Sequence, residues 1–125
     1  MRSICFLGPE GTFSHILARK RFGERAVLTP CPTIEAIFDH VLGSGHDLGI
    51  VPIENSSGGT VYDSVDLLIR HARRIFIWEE LALDVRIALL GHRGQAVKTV
   101  FSHFVQIKHH AEWLKLRHPK ARLQS

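Results

Sequence analysis

The sequence has few cysteines and no long hydrophobic run. Cys5 and Cys31 are the only two cysteines among 125 residues, which gives no disulfide framework and favours a reducing compartment. No apolar stretch approaches the ~20 residues that a membrane-spanning helix needs. The first apolar segment is interrupted at Gly8, sooner than in a signal peptide. We therefore expect a cytoplasmic protein that does not enter a membrane.

Patterns typical of metal sites and of common catalytic sites are also missing. The chain has nine histidines, but no group of Cys, His and carboxylate residues has the spacing of metal ligands. His109 and His110 are adjacent, so they point to different sides of a helix. No Ser-His-Asp or Cys-His arrangement follows from spacing, and Gly8-x-x-Gly11 matches neither common phosphate loop. We therefore expect no metal site.

The charge of the chain is modestly positive. The formal net charge is +4 at pH 7, and much of the excess lies in residues 70–74 and 108–122. Neither segment has basic residues interleaved with aromatic ones, so we interpret both as solvated surface and expect no nucleic-acid partner. Positive charge of this size also attracts a small anionic substrate.

Short apolar segments alternate with amphipathic segments through the first 71 residues. This alternation is typical of an α/β fold with a parallel sheet and right-handed crossovers. The predicted strands are residues 4–7, 26–29 and 48–53, and the predicted helices are residues 14–22, 34–42 and 61–71. The expected helix caps are Ser14, Thr33 and Thr60, and the expected stops after the second strand are Pro30 and Pro32.

Two polar loops follow the first and third predicted strands. Residues 8–13 and residues 54–59 each lead from a strand end into the N-terminus of a helix. Ligands of parallel sheets bind beyond the carboxyl ends of the strands, so both loops should lie at one edge of the sheet. Helix N-termini hold anions well. The sequence therefore predicts a small-anion site formed by the two loops.

The pattern changes in the second half of the chain. Apolar residues alternate with more polar ones from Leu81 to Leu89, which predicts a long strand. A strand at residues 97–101, a helix at residues 105–118 and another strand from Ala121 are predicted to follow. A second β-α-β unit therefore begins here.

Three motifs resemble those of one enzyme family. The segment FLGPEGTFSH at residues 6–15 resembles the opening signature of the prephenate dehydratases. The segment VPIENSSGGTV at residues 51–61 is similar to their second signature, and VFSH at residues 100–103 resembles the start of their second lobe. Plant-type arogenate dehydratases share these motifs.

The resemblance implies a two-lobed fold like that of type II periplasmic binding proteins, with the active site between the lobes. Residues 1–80 would form the first lobe, residues 81–90 the crossing strand or hinge, and residues 91–125 the start of the second lobe. The implied reaction converts prephenate to phenylpyruvate, water and carbon dioxide in L-phenylalanine biosynthesis. It uses no cofactor and no metal.

The candidate site residues lie in the two loops. The resemblance favours Asn55 and Glu54 as catalytic residues, with Glu54 either bonding a substrate hydroxyl or orienting Asn55. The structural alternatives are a turn amide for Asn55 and a carboxylate beside a helix dipole for Glu54. The candidates for substrate binding are Thr12, Ser56, Gly58 and Gly59, whose alternatives are roles in turns and caps.

The sequence departs from the family at two places. The family carries a Thr-Arg-Phe motif whose threonine is thought to help the hydroxyl leave, and no Thr-Arg-Phe occurs here. Family members commonly read Ser-His-Pro-Gln where Phe104 and Val105 follow Ser102 and His103, which leaves the roles of Ser102 and His103 open. The chain therefore resembles the front part of a dehydratase, and we expect these 125 residues to be inactive alone.

Three functions remain compatible with the sequence. Prephenate dehydratase is the leading interpretation, and arogenate dehydratase differs from it only in substrate. A non-catalytic domain that binds a small carboxylate is the third, favoured by the missing Thr-Arg-Phe motif. The sheet begun after residue 97 has an open edge, which favours pairing with a second chain, so we expect a homo-oligomer.

Overall fold

The computed structural model describes residues 1–44 and 47–125. These residues divide into two compact units. One consists of Met1–Asn55 and Gly59–Asp84, and the other of Ser56–Gly58 and Val85–Ser125.

The first unit alternates strands and helices, as predicted. Its three sheet strands are β1 (Arg2–Leu7), β2 (Ala26–Cys31) and β3 (Leu48–Ile50), and its first two helices are α1 (Phe13–Phe22) and α2 (Ile34–Ser44). A hairpin follows, with two strands of two residues each, β4 (Glu54–Asn55) and β5 (Gly59–Thr60). It leads into helix α3 (Tyr62–Arg70).

The sheet is parallel and has the order β2-β1-β3. Cys5 on the central strand pairs with Thr29 on one side and with Gly49 on the other. The predicted three-stranded parallel sheet is therefore confirmed. Pro30 does not end β2 as expected, because β2 is an edge strand and can accommodate a residue without an N–H group.

The two faces of the sheet are covered by different helices. The Cys5 thiol donates weak hydrogen bonds to the carbonyl oxygens of Ile37 on α2 at 3.8 Å and of Leu48 at 3.5 Å. His15 on α1 stacks on Phe6, the next residue of β1, with ring centroids 5.0 Å apart. Since neighbouring strand residues face opposite sides, α1 and α2 enclose the sheet as two layers.

The two cysteines are free thiols that belong to the core. Burial, and to a smaller extent the neighbouring Cys31 thiol, raises the pKa of the Cys5 thiol from 9.0 to about 12, so this group stays protonated. Cys31 pairs with Leu7, two positions beyond Cys5. That offset separates the α-carbons by roughly 8 Å, beyond the reach of a disulfide.

The second unit contains a smaller parallel pair of strands. Strand β6 (Thr99–Phe101) pairs with β7 (Arg122–Gln124), and helices α4 (Phe104–His109) and α5 (Ala111–Arg117) connect them. The predicted single helix at residues 105–118 is wrong, because the backbone at His110 leaves the helical region with φ −107° and ψ 14°. Among the described residues, none of the helices is long and apolar enough to span a membrane.

The predicted long strand from Leu81 to Leu89 is also wrong. Residues 75–98 contain neither helix nor strand. Alternation predicts which face of a strand would be buried, but a strand also needs a neighbour that pairs with its backbone. No strand in the described part of the chain supplies one for these residues.

We expect Gly49→Ala to destabilise the first unit. A β-carbon on Gly49 would lie 2.6 Å from Cγ2 of Ile37 and 3.1 Å from Cγ2 of Val41. Ile37 is buried in the core and cannot move away freely, so we expect a loss of about 1–3 kcal/mol in the free energy of unfolding. Urea titration of the purified chain measures this change.

Gly43→Ala is the matched control for this measurement. Gly43 lies in α2, and its added β-carbon would meet no atom within 4 Å. Alanine favours helix over glycine by about 0.5–1 kcal/mol, so this variant should be as stable as the parent or more stable. Equal destabilisation by both variants would contradict the close approach of β3 to α2.

Candidate functional site

The carboxyl ends of β1 and β3 meet at one edge of the sheet. The last pair of their parallel ladder joins Phe6 to Ile50. The first polar loop therefore begins at this edge, and the chain leaves the same edge after Ile50 on its way to the second loop. Strand β3 is shorter than expected, because residues 51–53 leave the sheet before Glu54.

The first loop is fastened to the start of α1 by Thr12. The Thr12 hydroxyl donates to the carbonyl oxygen of Leu7 at 3.0 Å and accepts from the backbone N–H of His15 at 3.3 Å. Thr12 is therefore the N-cap of α1, and the predicted cap at Ser14 is wrong. The reason is that the helix begins one residue earlier than expected, at Phe13.

The loop contains a further hydrogen bond that the sequence analysis does not predict. The Gly11 N–H donates to Nδ1 of His15 at 2.8 Å. Gly11 has a φ of 89°, in the left-handed region that favours glycine. The sequence signal for this hydrogen bond is a histidine that lies four residues after a loop glycine and three residues after the helix cap.

The second loop is a hairpin rather than an open turn. Glu54 pairs with Thr60 and Asn55 pairs with Gly59 in an antiparallel ladder. The N–H of Val61 donates to the carbonyl oxygen of Ile53 at 2.9 Å and closes its base.

Thr60 does not cap the following helix as predicted. Val61 is the N-cap of α3, and no side chain bonds to that cap. Thr60 is instead part of strand β5, and its pairing with Glu54 draws the residue into the ladder before the helix starts.

Glu54 and Asn55 are placed on opposite faces of this ladder. Successive residues of a paired strand direct their side chains to opposite sides, and both residues are exposed. Ser56 and Gly58 lie in the exposed part of the turn. A small ligand on one side of the hairpin can therefore contact the side chain of Asn55 or that of Glu54, but not both.

His103 in the second unit has a structural contact. Its Nδ1 accepts from the N–H of Val105 at 3.3 Å and caps α4, and its ring lies 4.6 Å from that of Phe104. The backbone N–H of Ser102 donates to the carbonyl oxygen of Gln124 at 3.1 Å. Neither contact assigns a catalytic role.

A hollow at the sheet edge is poorly suited to an anion. It has a volume of about 670 Å³ and is lined by residues on both sides of the β1 and β2 ends, namely Gly8, Pro9, Glu10, Pro30, Cys31 and Pro32. Apart from the buried Cys31 thiol, the ionisable group among these residues is the Glu10 carboxylate. Three of the residues are prolines, which have no N–H donor. Across residues 1–44 and 47–125, no three His, Cys, Asp or Glu side chains are placed to hold a metal ion.

The fold is that of an α/β ligand-binding lobe like those of periplasmic binding proteins, and comparison with known proteins identifies the family. The model of the prephenate dehydratase family matches residues 4–125. The chain belongs to the prephenate dehydratase family. The crystal structure of prephenate dehydratase from Staphylococcus aureus subsp. aureus Mu50 superposes with a TM-score of 0.79 and 29% identity, covering 99% of this chain and 47% of that chain.

Curated relatives agree with this assignment. The bifunctional chorismate mutase/prephenate dehydratase of Stutzerimonas stutzeri is 33% identical over 121 residues, which is 93% of this chain and 32% of the relative. Arogenate dehydratase/prephenate dehydratase 1, chloroplastic, of Arabidopsis thaliana is 39% identical over 103 residues, which is 80% of this chain and 26% of the relative. The chain thus spans about a third or less of the length of these relatives.

We expect Gly59→Ala to loosen the candidate hairpin. Gly59 has a φ of 77°, a conformation that costs an alanine about 1–2 kcal/mol. The Val61 amide, which closes the hairpin, should then exchange with solvent about tenfold faster. Hydrogen exchange followed by NMR measures this rate.

Gly58→Ala is the control in the same hairpin. A β-carbon on either glycine would meet no atom within 4 Å, but Gly58 does not have a positive φ. Unchanged exchange at Val61 in the Gly58 variant would isolate the backbone conformation as the cause. Equal acceleration in both variants would show that the turn itself, and not the backbone angle of Gly59, is sensitive.

Proposed function

We propose that this chain provides one wall of an active site that converts prephenate to phenylpyruvate, water and carbon dioxide. The observation that carries the proposal is the match of residues 4–125 to the prephenate dehydratase family, and the strands that precede the two polar loops end at one edge of the sheet. The substrate is a small dianion, and the formal charge of the chain is +4. Modest positive charge favours its approach.

The first loop can supply backbone donors. The N–H groups of Phe13 and Ser14 are in the first turn of α1, where no acceptor within the helix is available to them. The N–H of His15 is already bonded to the Thr12 hydroxyl. Two adjacent donors at a helix N-terminus suit one carboxylate of the substrate.

Thr12 is suited to a narrow role in substrate binding. Its hydroxyl proton is donated to Leu7, and one of its two lone pairs accepts from His15. The remaining lone pair can accept a hydrogen bond from the substrate hydroxyl, but it cannot bind an anion. We therefore assign Thr12 to the cap and to the hydroxyl of the substrate.

The second loop supplies side-chain groups. Asn55 offers an amide donor where charge develops, and Ser56 offers a hydroxyl beside it. The open space around Gly58 and Gly59 leaves room for a ligand to approach the backbone. Because Glu54 faces the other side of the ladder, its proposed role is to orient the hairpin rather than to contact the same group as Asn55.

The domain assignment is part of the same proposal. Residues 1–80 are assigned to the first lobe, residues 81–90 to the crossing segment and residues 91–125 to the second lobe. The division of the compact units between Asp84 and Val85 supports this assignment. The crossing segment has no strand pairing, which fits a hinge better than a rigid crossing strand.

Arogenate is the second candidate substrate. The relative from Arabidopsis thaliana is named for both arogenate and prephenate, and it is 39% identical over the matched residues. An active enzyme that carries this chain can be offered each substrate at equal concentration, and the ratio of the two kcat/KM values decides between them. Binding of either one without turnover would favour the non-catalytic carboxylate-binding domain.

We expect Asn55→Ala to impair catalysis without unfolding the protein. In an active enzyme that carries these residues, kcat/KM for prephenate should fall by about one to three orders of magnitude, the usual effect of losing one donor to developing charge. The circular dichroism spectrum and Tm should change little, because Asn55 is exposed. Formation of phenylpyruvate is followed by its absorbance in alkali.

Gln95→Ala is the control for this variant. Gln95 is an exposed amide in the segment without regular structure, away from both loops in sequence. It should retain the parent kcat/KM. If Asn55→Ala were equally active, the hairpin would not be the catalytic loop.

We expect these 125 residues alone to convert prephenate at less than ~1 per second, below ordinary enzymes. The five threonines of the chain are Thr12, Thr29, Thr33, Thr60 and Thr99, and none lies in a Thr-Arg-Phe motif. A site that holds a small dianion and excludes water needs two walls. Turnover of the purified chain at neutral pH tests this directly, and ordinary enzyme rates would show that the missing motif is dispensable.

The same sample should be a homo-oligomer. Large apolar side chains are exposed in both units, among them Phe76, Ile77, Trp78, Leu90, Phe101 and Leu116. Exposed apolar groups and open strand edges favour association with a second chain. Light scattering on the assayed fraction gives its mass, so the turnover is assigned to a known assembly.

A further inference from the structure

We propose that His15 is a positioning residue that holds the first loop in its binding conformation, and that it does so only as the neutral imidazole with its proton on Nε2. The inference rests on the proposed function, because the loop in question is the one assigned to substrate. It adds a residue and a protonation state that the candidate set above does not contain.

The tautomer follows from the hydrogen bond that His15 accepts. The Gly11 N–H points at Nδ1 with a nitrogen–nitrogen distance of 2.8 Å. An N–H donor needs a lone pair on its acceptor, so Nδ1 carries no proton and the ring proton is on Nε2. A doubly protonated imidazolium has donors on both nitrogens and cannot accept this bond.

His15 fastens the loop at two consecutive residues. Its ring accepts from Gly11, and its backbone N–H donates to the Thr12 hydroxyl at 3.3 Å. Thr12 in turn donates to Leu7 at the end of β1 and accepts from the Ile16 N–H at 3.0 Å through its backbone carbonyl oxygen. The loop therefore leaves the strand and enters the helix through the contacts of Thr12 and His15.

The ring itself is anchored to the sheet. It lies on Phe6 with ring planes 9° apart, and Phe6 is completely buried on the central strand. The imidazole cannot turn away without losing this stack. Nδ1 is thus a fixed acceptor, and the position of Gly11 is set by the core through the ring.

Charged groups of both signs surround the ring. A hollow of about 340 Å³ is lined by His15 together with Glu10 from the loop, Arg19 from α1 and Glu24 from the turn after α1. A second proton on the ring would replace the lone pair of Nδ1 with an N–H group, so the imidazolium could not keep the Gly11 bond.

NMR of the purified chain tests the proposal without any assay of activity. Long-range proton–nitrogen spectra at about pH 8 should show His15 with Nε2 protonated and Nδ1 unprotonated. The protection factor of the Gly11 amide should be about three- to tenfold higher in the parent than in His15→Phe, the change expected for one hydrogen bond. A proton on Nδ1 at about pH 8, or equal Gly11 protection in the parent and in His15→Phe, would overturn the proposal.

Two variants separate the acceptor from the ring. In His15→Asn the amide oxygen can take the place of Nδ1, and in His15→Phe the stack on Phe6 is kept but the acceptor is lost. The proposal expects His15→Asn to retain the protection of the Gly11 amide and His15→Phe to lose it. The reverse result, protection with Phe and none with Asn, would mean that the ring acts only by packing.

The consequence for binding is measured in an active enzyme that carries the chain. His15→Phe should raise KM for prephenate about three- to tenfold with a smaller effect on kcat, and His15→Asn, which keeps an acceptor for the Gly11 N–H, should keep a KM close to that of the parent. If the NMR results are as expected but prephenate is not a substrate, the proposed function is wrong. The role of His15 in holding the first loop would still stand. Parent KM values in both variants would overturn the positioning role.

Discussion

The parallel pairing of β1 with a strand on each side is the constraint on which the rest of the first unit depends. Ile4, Cys5 and Phe6 are completely buried because β2 and β3 flank β1 and helices cover both of its faces. The same pairing places the ends of β1 and β3 at one edge, so the first loop and the segment that leads to the second loop leave the sheet there. The sheet thus fixes where the chain leaves it but not the internal shape of the loops.

The alternation of strands and helices could be predicted because it follows from periodicity, which is local in sequence. The cap at Thr33 was correct as well, since its hydroxyl accepts from the N–H of Ala36 at 3.1 Å. The caps at Ser14 and Thr60 were wrong because other contacts compete for them: Thr12 is closer to the end of β1, and Thr60 pairs with Glu54. Sequence shows which residues can cap a helix, but the neighbouring elements decide which one does.

The extended segment after residue 75 shows the same limit more strongly. The alternation from Leu81 to Leu89 satisfies the pattern of a strand, yet the described residues offer it no pairing strand. Pairing is a long-range property, and a period of two carries no information about it. The candidate site residues could likewise be located in loops from sequence, whereas the opposite faces of Glu54 and Asn55 depend on the ladder with Gly59 and Thr60.

The two loops are held by different means, and this has a consequence for how the site can work. The first is tied to the buried Phe6 through the His15 ring, so the core fixes the position of its donors. The second is a ladder of only two residue pairs whose turn requires the left-handed backbone of Gly59. The proposed function assigns a substrate carboxylate to the donors of the first loop and the developing charge to Asn55 on the hairpin, so it separates binding from catalysis between two loops that are built differently.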